Sequence, residues 1–285
     1  MLYIFTALYC EAHIFIKQFN LIKSQETTCF QEFYNEICGI RLTITGVGEI
    51  AVATAIGSVC SVYKPTQDDL LLNVGICAHT TKNSGIFLCN KIKEKATGRT
   101  FYPDMLYRHN FYEETVVTGM LPWNINNEPL ETTTVPAGNL YDMEAAAVYQ
   151  AGVHFFGPHQ MIFLKIVSDR GTIDEVSKER ATLLMEQYQD CIIDYVLRIC
   201  AIIQKLKSHN SDLCQEEKQL LETFCADLHL SKTMRDSMKQ YVQYLTLTGI
   251  NYISVIHDMY EKNLIPCKDK REGKQRFEEF KRRLF

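Results

Sequence analysis

Hydrophobic and polar positions alternate along the first two hundred residues in a way that separates short buried runs from longer periodic ones. Leu2–Ala7 is apolar and partly β-branched or aromatic, and it reads as a buried strand. Ile14 to Ile22 follows with apolar residues at roughly helical spacing. Arg41–Thr45 reads as a strand feeding Gly46-Val47-Gly48, and Ile50–Val62, rich in Ala, Ile and Val, reads as a helix. Asp69–Val74, Ile86–Ile92, Thr115–Thr118 and Met161–Val167 are further strand candidates, with Gly75 and Gly119 as stops. Between the last two lies Asn139–Gln150, NLYDMEAAAVYQ, a loop or strand end running into an alanine-rich helix that reaches about Gly152. A long helix is expected from about Asp174 to Lys207, carrying Leu183, Leu184, Tyr188, Ile192, Ile193, Val196, Leu197 and Ile202.

Strands alternating with helices predict an α/β fold around a mostly parallel or mixed sheet. The polar segment Ser208–Ser211 reads as a linker, dividing residues 1–207 from residues 212–285. The second part shows only helical patterning. Leu220, Leu221, Phe224 and Leu228 share one face, and Met234, Met238, Val242 and Leu245 a second. Ile253, Val255, Ile256, Met259 and Leu264 suggest a third, and the end, KDKREGKQRFEEFKRRLF, is charged and basic. An all-helical extension is therefore expected, which packs on the domain, extends a dimer interface or docks a protein partner.

Composition changes this picture little. The chain has 285 residues, 46% hydrophobic and 22% charged, with a net charge of −4, an ordinary globular balance. The acidic balance argues against a general nucleic-acid binder, and the basic end reads as a solvated amphipathic helix. Eleven cysteines without a CxxC pair show no zinc rhythm and read as reduced thiols of a cytoplasmic protein. The apolar start lacks a basic leader and is interrupted by Glu11, and no run approaches the roughly 20 apolar residues of a membrane span. No metal site and no cofactor are expected.

Candidate chemistry gathers at the strand ends, where α/β sheets bind ligands. Glu11, Glu144 and Asp169 each follow or flank an apolar segment. Cleaving a glycosidic bond requires a proton for the leaving group and negative charge near a cationic sugar. Three carboxylates around one pocket would divide those tasks; three unrelated surface or cap acids are the other reading that spacing leaves open. Gly46-Val47-Gly48 lets backbone amides approach an anion or a hydroxyl-rich ligand, or simply makes a tight turn. Cys77 and His79 read as structural rather than as a nucleophile and its base.

Taken in order, ALYCE (Ala7–Glu11), TGVGEIAVATA (Thr45–Ala55), NVGICAH (Asn73–His79), DMEAAAV (Asp142–Val148) and VSD (Val167–Asp169) resemble the nucleoside phosphorylase/nucleosidase family, in particular its methylthioadenosine/S-adenosylhomocysteine nucleosidases. The resemblance covers about residues 1–205. It implies a three-layer α/β/α sandwich around a mixed sheet, and a homodimer. It implies that Asp169, oriented by Ser168, protonates the leaving purine, and that Glu11 activates the attacking water. Glu144 would hold the ribose hydroxyls with Met143 packed against the sugar, and Ala7, Gly46 and Gly75 would line the site. Trp123, the single tryptophan, stands next to the place of the family's purine-stacking aromatic, and Arg99, Phe101 and Tyr102 are candidates for closing the pocket. The chain departs from the pattern at Ile76, Ala78 and His79, where nucleosidases carry a small polar residue and glycines. Family phosphorylases grip phosphate with arginines, one of them soon after the first strand. Glu11–Lys17 has none, which favours water as nucleophile, with Arg41, Arg99 and Arg170 as the remaining candidates for phosphate.

Overall fold

The computed structural model of the chain describes residues 1–285 apart from 26–27, 127–135, 137, 172–176, 212–214, 248–249 and 285. It contains two compact units, Met1–Lys205 and Leu206–Phe285.

The first unit begins with strand β1 (Leu2–Thr6), helix α1 (Tyr9–Gln18), a hairpin of β2 (Ile22–Lys23) and β3 (Gln31–Asn35), strand β4 (Ile40–Ile44) and helix α2 (Glu49–Tyr63). Strands β5 (Leu70–His79), β6 (Ile86–Glu94), β7 (Thr100–Phe101), β8 (Tyr112–Thr118) and β9 (Leu140–Asp142) follow. Helix α3 (Ala145–Gly152), strand β10 (Met161–Asp169) and helices α4 (Lys178–Gln187) and α5 (Gln189–Ser211) complete the series.

The strands form one mixed sheet in the order β10-β6-β8-β9-β5-β1-β4-β3-β2, and β10 pairs with β5 as well. The sheet therefore closes into a ring through β5, β10, β6, β8 and β9, with an open wing from β1 to β2. Strands β4, β1, β5 and β10 are parallel, so their carboxyl ends share one edge. The two faces are covered separately. Ala12, Ile14 and Phe15 of α1, Met185 of α4 and Ile192, Val196 and Ile199 of α5 pack on Ile4, Leu72 and Leu164. On the other face Val52, Ile56 and Val59 of α2 and Ala145–Val148 of α3 pack on Tyr3, Phe5, Leu71 and Phe163. The mixed sheet is the one expected from the alternation of strands and helices, and helices on both its faces make the three layers that the resemblance implies.

Several elements depart from the pattern reading. The expected helix from Asp174 to Lys207 is two helices separated at Tyr188, and its expected start lies outside the described residues. Neither Gly nor Pro marks the break. Helix α5 runs through Ser211, so the polar segment Ser208–Ser211, expected as a linker, is helical. Strand β5 continues past Gly75 to His79, because Gly75 serves close approach rather than termination. The first helix starts at Tyr9, which places Glu11 inside its first turn.

The second unit contains α6 (Gln215–Asp227), α7 (Lys232–Leu247), α8 (Tyr252–Glu261) and α9 (Lys270–Arg283). Phe224, Leu228, Met238, Val242, Leu245, Ile256 and Met259 form its core, so the three apolar faces read from spacing do meet. Helix α9 adds Phe277 and Phe280 from one face and turns Lys270, Arg271 and Lys274 outward. Its Gly273 sits so close to α6 that a Cβ there would run into the Leu228 carbonyl.

Candidate functional site

Glu11 is the third residue of α1, and its side chain turns back over the start of its own helix. Oε2 accepts the N–H groups of Ala7 and Leu8, both at 2.9 Å. Those donors are unsatisfied by the helix itself, and an acid at this position is suited to them. Oε1 accepts the N–H of Ile76 at 2.9 Å. That donor is free because β1 leaves β5 after Asn73 and β9 joins it only at Ala78. The opening between the two neighbours is where the carboxylate enters. Burial pushes the Glu11 carboxyl up, opposed by these backbone donors and by Lys165.

Lys165 lies in the middle of β10 with 1% of its side chain exposed. A buried ammonium requires a partner, and Asp142 Oδ2 supplies it at 2.7 Å. Burial opposes the lysine's charge, but Asp142 and Glu144 outweigh it and hold its pKa above the usual value. Asp142 is fixed in turn by Thr118 Oγ1 at 2.7 Å and by the N–H of Ala145 at 2.9 Å. The helix-start role read for Asp142 is thus present, together with an ion pair that the sequence did not disclose. The available signal was a single lysine inside the apolar run MIFLKIV.

Gly75 is the register partner of Lys165. A Cβ on it would stand 3.1 Å from Glu11 Oε1 and 3.6 Å from Lys165 Nζ. Acid and ammonium therefore flank one point on the strand, and the missing side chain leaves them room.

Glu144 precedes α3 and is buried. Its Oε1 accepts the N–H of Gly48, the residue that caps α2, at 2.9 Å. Gly46 and Gly48 have φ of 82° and 99°, a region that glycine enters without strain. The glycine turn presents the Gly48 amide to the Glu144 carboxyl. Burial and the neighbouring Asp142 push the Glu144 carboxyl up to about 7, against the pull of Lys165 and the Gly48 amide. Met143, between the two acids, is half-buried.

Asp169 ends β10 after an irregularity in register between Val167 and Asp169. The extra residue, Ser168, is taken out of the ladder, as in a β-bulge. Its carbonyl receives Arg180 Nη2 from α4 at 2.8 Å, a contact that sequence reading missed. Ser168 Oγ lies 2.6 Å from Asp169 Oδ2 and 3.1 Å from the Cys77 carbonyl. Asp169 Oδ1 accepts the N–H of Gly171 at 2.6 Å.

Three consecutive residues of β5 tie the groups together. Gly75 gives clearance to Glu11 and Lys165, Ile76 binds Glu11, and Cys77 meets Ser168. Trp123 is buried against Tyr141 and the Gly171 turn, and Ile125 N–H donates to the Gly171 carbonyl at 2.9 Å. The tryptophan therefore stands beside the turn that follows Asp169. Phe101 stacks on Tyr149 of α3 at 5.0 Å, and Tyr102 is exposed. Burial raises the Cys77 thiol well above its usual pKa. His79 is lowered to about 4 by burial, then by Lys82 and Arg170, and its Nδ1 accepts the N–H groups of Thr81 and Lys82. The imidazole is held at Nδ1, while its buried Nε2 has no hydrogen-bond partner among the described residues.

The fold has clear relatives among solved structures. A methylthioadenosine/S-adenosylhomocysteine nucleosidase from Colwellia psychrerythraea 34H, in complex with adenine, matches with a TM-score of 0.55 and 14% identity over 71% of this chain and 95% of that one. The Streptococcus pneumoniae nucleosidase in complex with 8-aminoadenine matches with a TM-score of 0.54 and 15% identity over 70% of this chain and 97% of that one. The Campylobacter jejuni nucleosidase gives a TM-score of 0.55 and 12% identity, again over 70% and 97%. The chain thus shares the fold of these nucleosidase structures over about 70% of its length, and the C-terminal helices lie beyond the aligned region. By sequence, no family model and no curated protein matches the chain. No helix among the described residues is long and apolar enough to cross a membrane.

Proposed function

We propose that the first unit hydrolyses the N-glycosidic bond of a purine nucleoside, with methylthioadenosine, S-adenosylhomocysteine or a related adenine nucleoside as substrate. The observation that carries the reading is the arrangement of Glu11, Lys165 and Glu144 at the opening between β1 and β9, with Ser168-Asp169 docked on the same segment of β5.

In this reading Glu144 binds the ribose hydroxyls, Met143 packs on the sugar, and Trp123 flanks the base. Asp169 passes a proton to a ring nitrogen of the base. The C–N bond then breaks with its electron pair going to the base, which leaves neutral. The carboxylates favour the positive charge that develops on the ribosyl group. A water attacks the anomeric carbon and gives a proton to Glu11. The products are the free base and the free sugar, a ribose that keeps the 5′ substituent of the nucleoside.

Water is favoured over phosphate by charge. The buried cation beside Glu11 is Lys165, already held by Asp142, and Glu144 stands nearby. A phosphate dianion would meet carboxylates rather than free donors. Arg41, a candidate for that role, pairs with Glu32 at 3.3 Å and lies over the Tyr63 ring at 3.5 Å.

The test is to incubate the protein with methylthioadenosine, S-adenosylhomocysteine, adenosine and inosine, each with and without phosphate, and identify products by mass. Base release without phosphate supports the proposal. A strict phosphate requirement with a ribose 1-phosphate product makes the protein a phosphorylase. Binding without turnover makes it a nucleoside-binding scaffold that works through its helical extension, by way of a protein partner. Homodimerisation is proposed alongside, and sedimentation of the purified chain reads it directly.

A further inference from the structure

Charge is unevenly spread in the second unit. Lys268, Lys270, Arg271 and Lys274 lie within seven residues at the start of α9, and all four are exposed. A helix N-terminus carries partial positive charge and disfavours cations, so this placement opposes the helix locally. The acids of the segment are turned to the backbone instead. Asp269 Oδ1 accepts the N–H groups of Arg271 and Glu272 at 2.8 and 2.9 Å, and Glu272 Oε2 accepts that of Lys268 at 2.8 Å. Later cations of the same helix are paired, Arg276 with Glu279, Lys281 with Glu278 and Arg283 with Asp258. Packing brings a further cation to this end of the unit. Gly273 lies against Leu228, the Cys267 N–H donates to the Asp227 carbonyl at 2.8 Å, and His229 Nε2 meets the Cys267 carbonyl at 2.9 Å. The α6–α7 turn is thus seated on the start of α9. Arg235, whose Nε donates to the Leu230 carbonyl at 3.2 Å, is exposed just beyond that turn. None of these five cations forms an ion pair among the described residues.

We propose that this end of the second unit docks the phosphate backbone of a nucleic acid. The inference is independent of the function proposed for the first unit. A local rule broken without compensation inside the molecule marks a functional surface, and here the missing compensation is negative charge. Phosphates supply it to the side chains and to the helix N-terminus together. Cations that act as point charges hold a phosphate backbone without reading its sequence. Two other partners fit less well. A protein interface is anchored by apolar and aromatic side chains at its centre, and among the described residues from Glu216 onward no large apolar side chain is exposed. A membrane-surface helix lays its apolar face into the lipid, whereas Phe277 and Phe280 of α9 are closed in the core of the unit. The surface offers charge alone, and a polyanion is the partner that charge alone can hold.

The experiment titrates the full chain into a fluorescent DNA duplex of about 20 base pairs and mixed sequence, at about 50 to 200 mM salt, and follows anisotropy. Roughly four phosphate contacts give an expected slope of log K against log salt of about −3.5, a loss of about 100-fold across that range. Lys270→Gln and Lys274→Gln should each weaken binding and make the slope shallower by about 0.9. The combined variant Lys270→Gln, Arg271→Gln, Lys274→Gln should lose at least about 10-fold in affinity at the lowest salt. These side chains are exposed, and thermal melts confirm that the variants fold. Lys262→Gln, whose cation is held by Asp258, should leave the slope unchanged. Absence of binding at the lowest salt, or a slope that the α9 variants do not alter, would overturn the proposal. So would tighter binding to polyglutamate, which would make the surface a site for an acidic protein, or to phosphatidylserine vesicles, which would make it a membrane contact.

Discussion

Lys165 and Asp142 form an ion pair at 2.7 Å with both side chains closed to solvent. The lysine comes from the middle of β10, and the aspartate from the junction of β9 and α3. The pair thereby connects the strand that ends in Asp169 with the turn that carries Glu144. Lys165 also faces Glu11 across the empty Cβ position of Gly75. One buried cation thus serves several acids, which explains how this many carboxyl groups coexist at one sheet edge. Such pairs cost desolvation and are retained where they fix geometry or function.

Removing one partner alone tests that arrangement. Lys165→Met leaves Asp142 buried without its counter-charge, and the loss is expected to be about 3–5 kcal/mol. Lys165→Met combined with Asp142→Asn should recover a large part of it, because no unpaired charge remains. Urea unfolding of the two single variants and the double variant measures the coupling. Additive losses would show that the pair contributes no mutual stabilisation.

The main strands and helices were legible in the sequence because each carries its own apolar period, and the resemblance supplied their layering. Met161–Val167 against Ile192 and Val196 is readable without knowing the partners, although Leu183, read as part of the same apolar face, is 65% exposed. The short polar strands were not. Gln31–Asn35 alternates weakly, and Leu140–Asp142 has three residues, so pairing with neighbours makes them strands rather than local preference. The acids Glu11, Glu144 and Asp169 stood out as flanks of apolar runs, and motif order linked them. Lys165 and Arg180 stayed hidden for another reason. Their partners, Asp142 and the Ser168 carbonyl, are separated from them along the chain, and a lone cation in a run does not announce where its counter-charge will be.

Gly75 gives a prediction about activity rather than folding. An added methyl would meet Glu11 Oε1 at 3.1 Å, so the carboxylate must give way by a few tenths of an ångström. Gly75→Ala is expected to cost at least about tenfold in base release, since small misplacements of a reacting group are expensive. Stability should fall by no more than about 1 kcal/mol. Steady-state kinetics with parallel thermal melts separates the two. Unchanged kcat would remove Glu11 from the proposed mechanism.

In the second unit, Gly273 of α9 lies directly against the backbone of Leu228, the residue that follows α6. Gly273→Ala favours the isolated helix, yet its Cβ cannot coexist with the Leu228 carbonyl at the present spacing. The helices must separate and expose part of the Phe224–Phe277–Phe280 packing. A loss of about 2–4 kcal/mol in the stability of this unit is expected. Hydrogen exchange should speed up in residues 215–284 and remain unchanged at β5 and β10. Uniform acceleration throughout the chain would show that the two units unfold together.

Glu144 predicts a pH dependence with a definite sign. Its carboxyl is raised from 4.5 to about 7, chiefly by burial and then by Asp142. A folded state that favours the neutral acid gains stability that is complete below the unfolded value and lost as the pH climbs through the folded one. Glu11 is raised as well and acts in the same direction. His79, lowered from 6.5 to about 4, acts oppositely, because its contribution is present above its unfolded value and lost on acidification. The absolute slope is therefore a sum of opposed effects, and the informative quantity is a difference. Glu144→Gln stays neutral at every pH and should gain on the unaltered protein as the pH rises from 4.5 past 7. The relative gain is bounded at about 3 kcal/mol. Urea midpoints at pH 5, 6, 7 and 8 for both proteins measure it, with the same m-value required at each pH. A difference that stays constant across that range would mean that Glu144 titrates as an ordinary exposed carboxyl, and the burial argument for its place in the site would fail.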